Sequence, residues 1–403
     1  REKFFLFFRQ KIRYNEVHDN EREERAVKLL HLSDLHLGKR LCDVSLLEDQ
    51  AYILDQIAAI AAREAVDAVL IAGDVYDKGV PPAEAVALLD QFLTVLAGQG
   101  CSVCLIAGNH DSAERLSFGA KLMDGRGVYF APVYDGAVRC VTLQDGFGPV
   151  HLWLLPFLKP AVVRRVWPEE SVETYSDALQ CALSHVPLDP SARNVLLSHQ
   201  FVTGAVRCES EEISVGGLDN VDAAVYEAFD YVALGHIHTA QNVGVNARYC
   251  GTPLGYSFSE AGQEKSVTIV TLGEKGCVER TAIPLTPLHG LREVRGNYLD
   301  LARRETYEGT AVEDYLLATL TDEKDVPDAM AKLRTIYPNL LRLRYDNRRT
   351  RECQMVELGE EGSSRSPLEL FGALYEQQNN APLSDEQSAF LQELMTRVWE
   401  EEA

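Results

Sequence analysis

The feature that most constrains this chain is a recurrence: five short motifs rich in Asp, Asn, His and Gly each follow an apolar run. Val27 to Leu32 leads into Asp34-Leu35-His36, and Asp67 to Ala72 into Gly73-Asp74-Val75-Tyr76-Asp77. Cys101 to Ala107 leads into Gly108-Asn109-His110-Asp111. Asn194 to Leu197 precedes Ser198-His199-Gln200, and Tyr231 to Leu234 precedes Gly235-His236-Ile237-His238. Short apolar runs between turn signals predict buried strands; further strands are expected at Val150 to Leu155 and Val267 to Thr271. Between the first runs the apolar spacing becomes helical. Leu46, Leu47, Ile53, Leu54, Ile57 and Ile60 share a face over Ser45 to Ala65, and a second helix begins at Pro81 and Pro82 and runs to about Gly98. Alternating strands and helices predict a layered α/β fold. In such sheets ligands bind beyond the carboxyl ends of strands, where all five motifs lie.

Carboxylate oxygen, amide oxygen and imidazole nitrogen together suit borderline divalent ions such as manganese, iron or zinc. The motifs contain no thiolate, which argues against a closed structural zinc. Asp34 and His36 are two apart on an extended segment, as are His236 and His238, so each pair can project from one edge. Gly73, Gly108 and Gly235 are expected to let the backbone turn sharply at the strand ends. Each motif alone has a bland reading: a solvated loop for Asp-x-His, a core histidine for Ser-His-Gln, a tight turn for Gly-Asn-His-Asp. The ordered set is far more specific, and it holds five of the ten histidines. His31, His151, His185 and His289 read as structural or surface residues, Arg207 and Lys265 as surface cations. Gly38-Lys39 lacks the spaced glycines of a P-loop, and Ser198 lacks a nucleophile elbow.

Lys plus Arg is 39 against 61 for Asp plus Glu, a net charge of −22. That argues against unaided, non-specific DNA binding, although bound cations or a partner can supply the missing charge. Nine scattered cysteines read as reduced, giving an expected cytoplasmic location. The pair Cys101 and Cys104 is expected to be core rather than redox or metal chemistry. No apolar run approaches a membrane span.

The ordered motifs resemble the calcineurin-like metallophosphoesterase superfamily. Leu30-His31-Leu32-Ser33-Asp34-Leu35-His36-Leu37-Gly38, Gly73 to Asp77, and Cys250-Gly251-Thr252-Pro253 through Phe258-Ser259-Glu260 narrow the likeness to its SbcD nuclease family. The resemblance implies a layered metallophosphoesterase sandwich with a small α/β capping domain and a C-terminal helical tail. It implies two divalent ions, manganese foremost: one on Asp34, His36, Asp74 and His238, the second on Asp74, Asn109, His199 and His236. His110 would contact the scissile phosphate and protonate the leaving oxygen. Asp77 either orients His110 or caps the turn near Gly79, and Asp111 is expected to cap a helix starting near Ala113. The implied activity is double-strand 3′-to-5′ exonuclease and single-strand or hairpin endonuclease cleavage of DNA, in repair, recombination and replication. The implied assembly is a homodimer with an SbcC-like ATPase. A phosphatase or nucleotide phosphodiesterase of the same fold is the first rival, and a non-catalytic metal-stabilised scaffold the second.

The expected divisions are an extension over 1–26 that is foreign in composition to the rest of the chain, a nuclease domain over 27–275, a capping domain over 290–358 and a helical tail over 366–403. The native domain is expected to start near Val27, with the preceding segment an extension or a misplaced start. Gly273 to Gly296 reads as a linker. Tyr315 to Leu320 and Leu340 to Arg344 read as strands flanking a helix at Ala329 to Ile336, and Glu360 to Pro367 as a break. In the tail, Leu368, Phe371, Leu374 and Tyr375, then Phe390, Leu391, Leu394, Met395, Val398 and Trp399, recur at helical spacing. By resemblance these two helices dock on the ATPase; packing on the cap is the alternative.

Overall fold

A computed structural model describes residues 25–131, 133–206, 220–348, 371–372, 375 and 382–401. Nearly all of the 1–26 extension, Arg207, the break at 360–367 and most of the first tail helix lie outside the described residues.

Two six-stranded sheets form the body. In chain order their strands are β1 Val27–Leu32, β2 Ala68–Ala72, β3 Ser102–Ile106, β4 Val128–Phe130, β5 Arg139–Asp145, β6 Gly148–Leu154, β7 Arg193–His199, β8 Tyr231–Gly235, β9 Gln241–Val243, β10 Ala247–Tyr249, β11 Ser266–Leu272 and β12 Val278–Pro284. One sheet runs β12-β11-β1-β2-β3-β4, the other β9-β10-β8-β7-β6-β5. Strands β1 to β4 are mutually parallel, as are β6, β7, β8 and β10, so the five motif-bearing strands end on the same side of their sheets.

The apolar runs are continuous because both faces of each central strand are buried. Leu29, Leu70, Ile106, Val195, Leu197 and Ala233 meet between the sheets. Their neighbours Leu30, Val69, Ile71 and Leu105 face helices α1 Leu47–Arg63 and α2 Ala83–Gly98. On the other side Leu196, Val232 and Leu234 face α3 Pro160–Val166 and α4 Tyr175–Ser184. The result is a helix–sheet–sheet–helix sandwich. Burying one such leucine side chain contributes about 1.5–3 kcal/mol. A capping box between Thr174 and Asp177 starts α4. Helix α2 starts after Pro82, its extended N-cap.

The linker reading of Gly273 to Gly296 is corrected by β12, which pairs antiparallel with β11 over its whole length. As an edge strand it buries little, and Pro284 at its end imitates a linker without disturbing a ladder. The remainder of that stretch enters a second unit. Strands β13 Leu291–Gly296, β14 Tyr315–Leu320 and β15 Leu340–Tyr345 form a parallel sheet, with α5 Ala329–Arg334 between the last two. This unit is tied to α1 by Asp49, which accepts Tyr315 Oη at 2.8 Å and lies 3.0 Å from His289 Nδ1. The tail contains α6 Asp385–Glu401, on which Phe390 is 65% exposed. Among the described residues, no helix is long and apolar enough to cross a membrane.

Candidate metal centre

The loops after β1 and β2 are held together by backbone hydrogen bonds: Asp34 N to Gly73 O at 3.0 Å, His36 N to Asp74 O at 2.9 Å and Leu37 N to Val75 O at 2.9 Å. Gln50 of α1 braces the first loop, donating to His36 O at 2.8 Å and accepting Gly38 N at 3.0 Å. Asp111 braces the second and third, taking the N–H groups of Val75, Tyr76 and Gly108 at 2.9–3.0 Å. The expected helix cap is therefore Ser112, which accepts Arg115 N, and not Asp111.

These loops converge seven side chains. Asp34 Oδ1 accepts the N–H of His236 at 3.0 Å, and Ser33 donates to its other oxygen. Asp74 Oδ1 takes the N–H of His110 at 2.9 Å, leaving Oδ2 3.3 Å from His199 Nε2, 3.8 Å from His36 Nε2 and 4.0 Å from His110 Nε2. Asn109 Oδ1 lies 3.0 Å from His199 Nε2 and 2.9 Å from His236 Nδ1. Ligand atoms of Asp34, His36 and His238 lie within 4.8 Å of one another, as do those of Asp34, Asp74 and His199. All seven candidate ligands expected from the motifs are thus brought together.

Four of them occupy backbone with positive φ. Asp34, His36 and Asp74 have φ of 54°, 43° and 48°, and His236 adds a φ of 101°. Left-handed backbone is uncommon for residues other than glycine. Of the glycines expected to turn the chain, only Gly73 has a positive φ, 90°. Gly108 and Gly235 are needed for room instead: a Cβ on Gly108 would sit 2.1 Å from Asp74 Oδ1, and one on Gly235 1.9 Å from Ala72 O.

The electrostatics follow from this crowding. Burial raises the Asp34 carboxyl to about 6, with His199 pulling against it and Asp74 pushing the same way. Burial would raise Asp74 too, but His199, His36 and His110 outweigh it and hold it well below the usual carboxylate range. Burial opposes charge on His199, yet Asp74 and Asp34 lift that ring to about 9. His36 is driven far down by burial, against the pull of Asp74.

The donor set fits divalent cations. His199 Nδ1 faces the carbonyl of Ala72 at 2.8 Å; that oxygen can only accept, so Nδ1 carries a proton and Nε2 is the atom turned toward Asn109 and Asp74. A ring nitrogen aimed at two acceptor oxygens needs a proton or a metal ion between them, and a divalent ion would take the place of the proton that the metal-free ring holds. His36 is 1% exposed, and neither of its ring nitrogens makes a hydrogen bond to a described residue. Buried polar atoms left that way are costly unless an ion completes them.

His110 stands at the rim, with its Nδ1 3.1 Å from the backbone carbonyl of Asp77. The Asp77 carboxylate is engaged elsewhere, 2.7 Å from Lys39 Nζ. The Asp77 main chain thus meets His110 Nδ1, while its carboxylate also lies 3.9 Å from His36 Nδ1, and ligand atoms of His36, Asp77 and His110 lie within 4.8 Å of one another. Lys265 is no surface cation: it pairs with buried Glu260 at 2.5 Å and reaches His238 O at 3.2 Å. Cys101 and Cys104 are buried, and Cys101 Sγ meets the carbonyl of Val66 at 3.4 Å, as the core reading expects. Sequence reasoning missed Gln50, Tyr256 and Glu260 as site supports. Tyr256 packs edge-on against His36 with ring centroids 5.5 Å apart and donates to Leu35 O.

A family model described as calcineurin-like phosphoesterase matches residues 27–240, and one described as type 5 capsule protein repressor C-terminal domain matches residues 287–379. The chain is 36% identical over 322 residues to the SbcD subunit of nuclease SbcCD from Staphylococcus saprophyticus, covering 79% of this chain and 84% of that protein. Its counterpart in the nuclease SbcCD of Staphylococcus epidermidis is 33% identical over 322 residues, covering 79% and 85%. A solved dimetal phosphatase from Danio rerio is similar to 66% of this chain and 99% of its own, at 12% identity and a TM-score of 0.41.

Proposed function

Because the chain belongs to the calcineurin-like phosphoesterase family, and within it to the SbcD nucleases, we propose that this metal-dependent nuclease cleaves DNA phosphodiesters at the centre just described. The observation that carries the reading is the convergence of seven candidate ligands around His36, whose buried nitrogens have no hydrogen-bonding partner among the described residues. Asp34, His36, Asp74 and His238 would hold one divalent ion, and Asp74, Asn109, His199 and His236 the other, with manganese the expected metal. Bound there, two such ions supply hydroxide near neutral pH and neutralise charge on the phosphate.

The chain's own groups do the rest. Asp74 would serve both ions; its Oδ1 accepts the His110 N–H while Oδ2 faces the histidines, which supports that role. The Ala72 carbonyl holds His199 in the tautomer that presents Nε2 to the site. The Asp77 carbonyl fixes His110 Nδ1–H, so a protonated Nε2 can donate to the departing oxygen as general acid. His110 is not required as a ligand, which favours an enzyme over a metal-stabilised scaffold. The capping unit and the tail favour a nuclease over a small-ester phosphatase, which needs neither.

Finer features belong to the same proposal. They are 3′-to-5′ exonuclease and hairpin endonuclease cleavage, a homodimer, an SbcC-like ATPase docked on the C-terminal helices, and a cytoplasmic location. The names of the two staphylococcal relatives assign those proteins to SbcCD. The net charge of −22 fits a subunit that grips DNA with the help of metals and a partner. The test is manganese-dependent cleavage of end-labelled linear and hairpin DNA by the purified chain, beside Asp74→Ala and a small phosphodiester. Label loss that disappears in the variant and with chelator is expected, and the product lengths give the polarity. Cleavage of the small ester alone, unchanged when an SbcC-like ATPase is added, would favour the phosphodiesterase rival.

A further inference from the structure

Glu260 ends the short turn Phe258–Glu260, and its side chain is 0% exposed. Its Oε2 accepts Lys265 Nζ at 2.5 Å and Thr252 Oγ1 at 3.2 Å. Its Oε1 accepts the N–H of Tyr256 at 3.2 Å and lies 3.6 Å from His238 Nδ1. Lys265 alone could neutralise this carboxylate, so the side of Glu260 turned to the imidazole requires its own explanation. Two other site histidines show the pattern: His199 Nδ1 faces the carbonyl of Ala72 and His110 Nδ1 that of Asp77. His238 faces a full carboxylate that is no member of the ligand set.

We propose that Glu260 is a positioning residue of the metal centre, acting through His238 Nδ1 to fix the tautomer and orientation that present Nε2 to the ion shared with Asp34, His36 and Asp74. This rests on the two-ion reading above. An imidazole whose outer N–H faces a carboxylate is held in one tautomer and made more basic, and losing such a partner typically weakens metal binding 10–100-fold. Lys265 completes the arrangement. It clamps Oε2 and also reaches the His238 carbonyl, so the carboxylate and the backbone of the ligand it orients share one cation. A purely structural Glu260 would tie Thr252, Tyr256 and Lys265 together and leave His238 indifferent.

The experiment is manganese titration of the metal-free full chain by calorimetry, with bound and free ion counted by electron paramagnetic resonance. Wild type is expected to take up two ions. Glu260→Gln should weaken one of them about 10–100-fold and leave the other unchanged. In a His238→Ala background the same change should cost nothing further, because the residue it acts through is gone. Should Glu260→Gln fail to fold by circular dichroism, Glu260→Asp, which keeps the charge but withdraws it from His238, carries the same two expectations. Wild-type affinity for both ions in the folded variant, or an undiminished further loss in the His238→Ala background, would overturn the inference. A wild-type chain that binds no divalent ion would instead overturn the two-ion reading, and this inference with it.

Discussion

Gly235 ends β8 with its backbone pressed against the end of β2. A Cβ there would stand 1.9 Å from Ala72 O, 3.0 Å from the Ala72 carbonyl carbon and 2.7 Å from His199 Nδ1. An ordinary contact needs about 3.4 Å, so in Gly235→Ala the two strand ends must part by about 1.5 Å. Neither side gives easily, because one is main chain inside a sheet and the other is a ring nitrogen held by that same carbonyl. Overpacking of this kind costs about 1–3 kcal/mol. The effect on catalysis should be larger, because the displaced carbonyl sets the His199 tautomer, and misplacing a reacting group by about 1 Å can cost about 10²-fold in rate. The assay is manganese-dependent hydrolysis of a small phosphodiester, paired with a thermal melt of the metal-free chain. Gly98→Ala, whose Cβ meets nothing within 4 Å at the end of α2, is the matched control and should be neutral or slightly stabilising. A Gly235→Ala chain that melts normally and retains rates within about threefold of wild type would falsify the account of why glycine stands there.

Other expectations are simpler. His110→Ala should bind both ions with unchanged affinity by calorimetry and lose about 10²–10⁴-fold in turnover, the usual contribution of a general acid; weakened metal binding would make it a ligand instead. Arg193 donates to Asp145 at 2.9 Å and to the carbonyls of Leu272 and Gly273, with both side chains at most 3% exposed. Arg193→Met strands a buried carboxylate and should cost about 3–5 kcal/mol in urea unfolding while leaving turnover per folded molecule unchanged. Burial alone would raise the Asp145 carboxyl, but Arg193 and the N–H groups of Val27 and Phe147 outweigh it and hold it below its ordinary 3.8. Its contribution is therefore complete above that value and is lost as pH falls through the lower, folded one. Wild type should lose stability across that acid window, and Asp145→Asn should show a flatter decline there.

The central strands were legible in the residues because both of their faces are buried. Ala68–Ala72 is apolar at every position and buried at every position. Strand β12 was not, since half of its side chains face solvent and its partner lies across a turn that resembles a linker. The seven candidate ligands were legible because metal donors are a narrow set of residue types at strand ends. Their supports were not. The carbonyls of Ala72 and Asp77 hold His199 and His110, and a carbonyl has no residue signature. Glu260 and Lys265 reach His238 from a later segment, through a pairing that no local spacing announces. Asp111 read as the helix cap from its place before Ala113, but its carboxylate braces the neighbouring loops and Ser112 caps the helix instead.

The left-handed backbone of Asp34, His36, Asp74 and His236 has a consequence for evolution. Each such conformation costs on the order of 1–3 kcal/mol, and glycine would remove most of that cost at any of the four. A lineage screened only for thermal persistence should therefore drift toward glycine at these positions and gain melting temperature as it loses its donors. Keeping aspartate and histidine there marks them as sites where selection for chemistry overrides selection for stability.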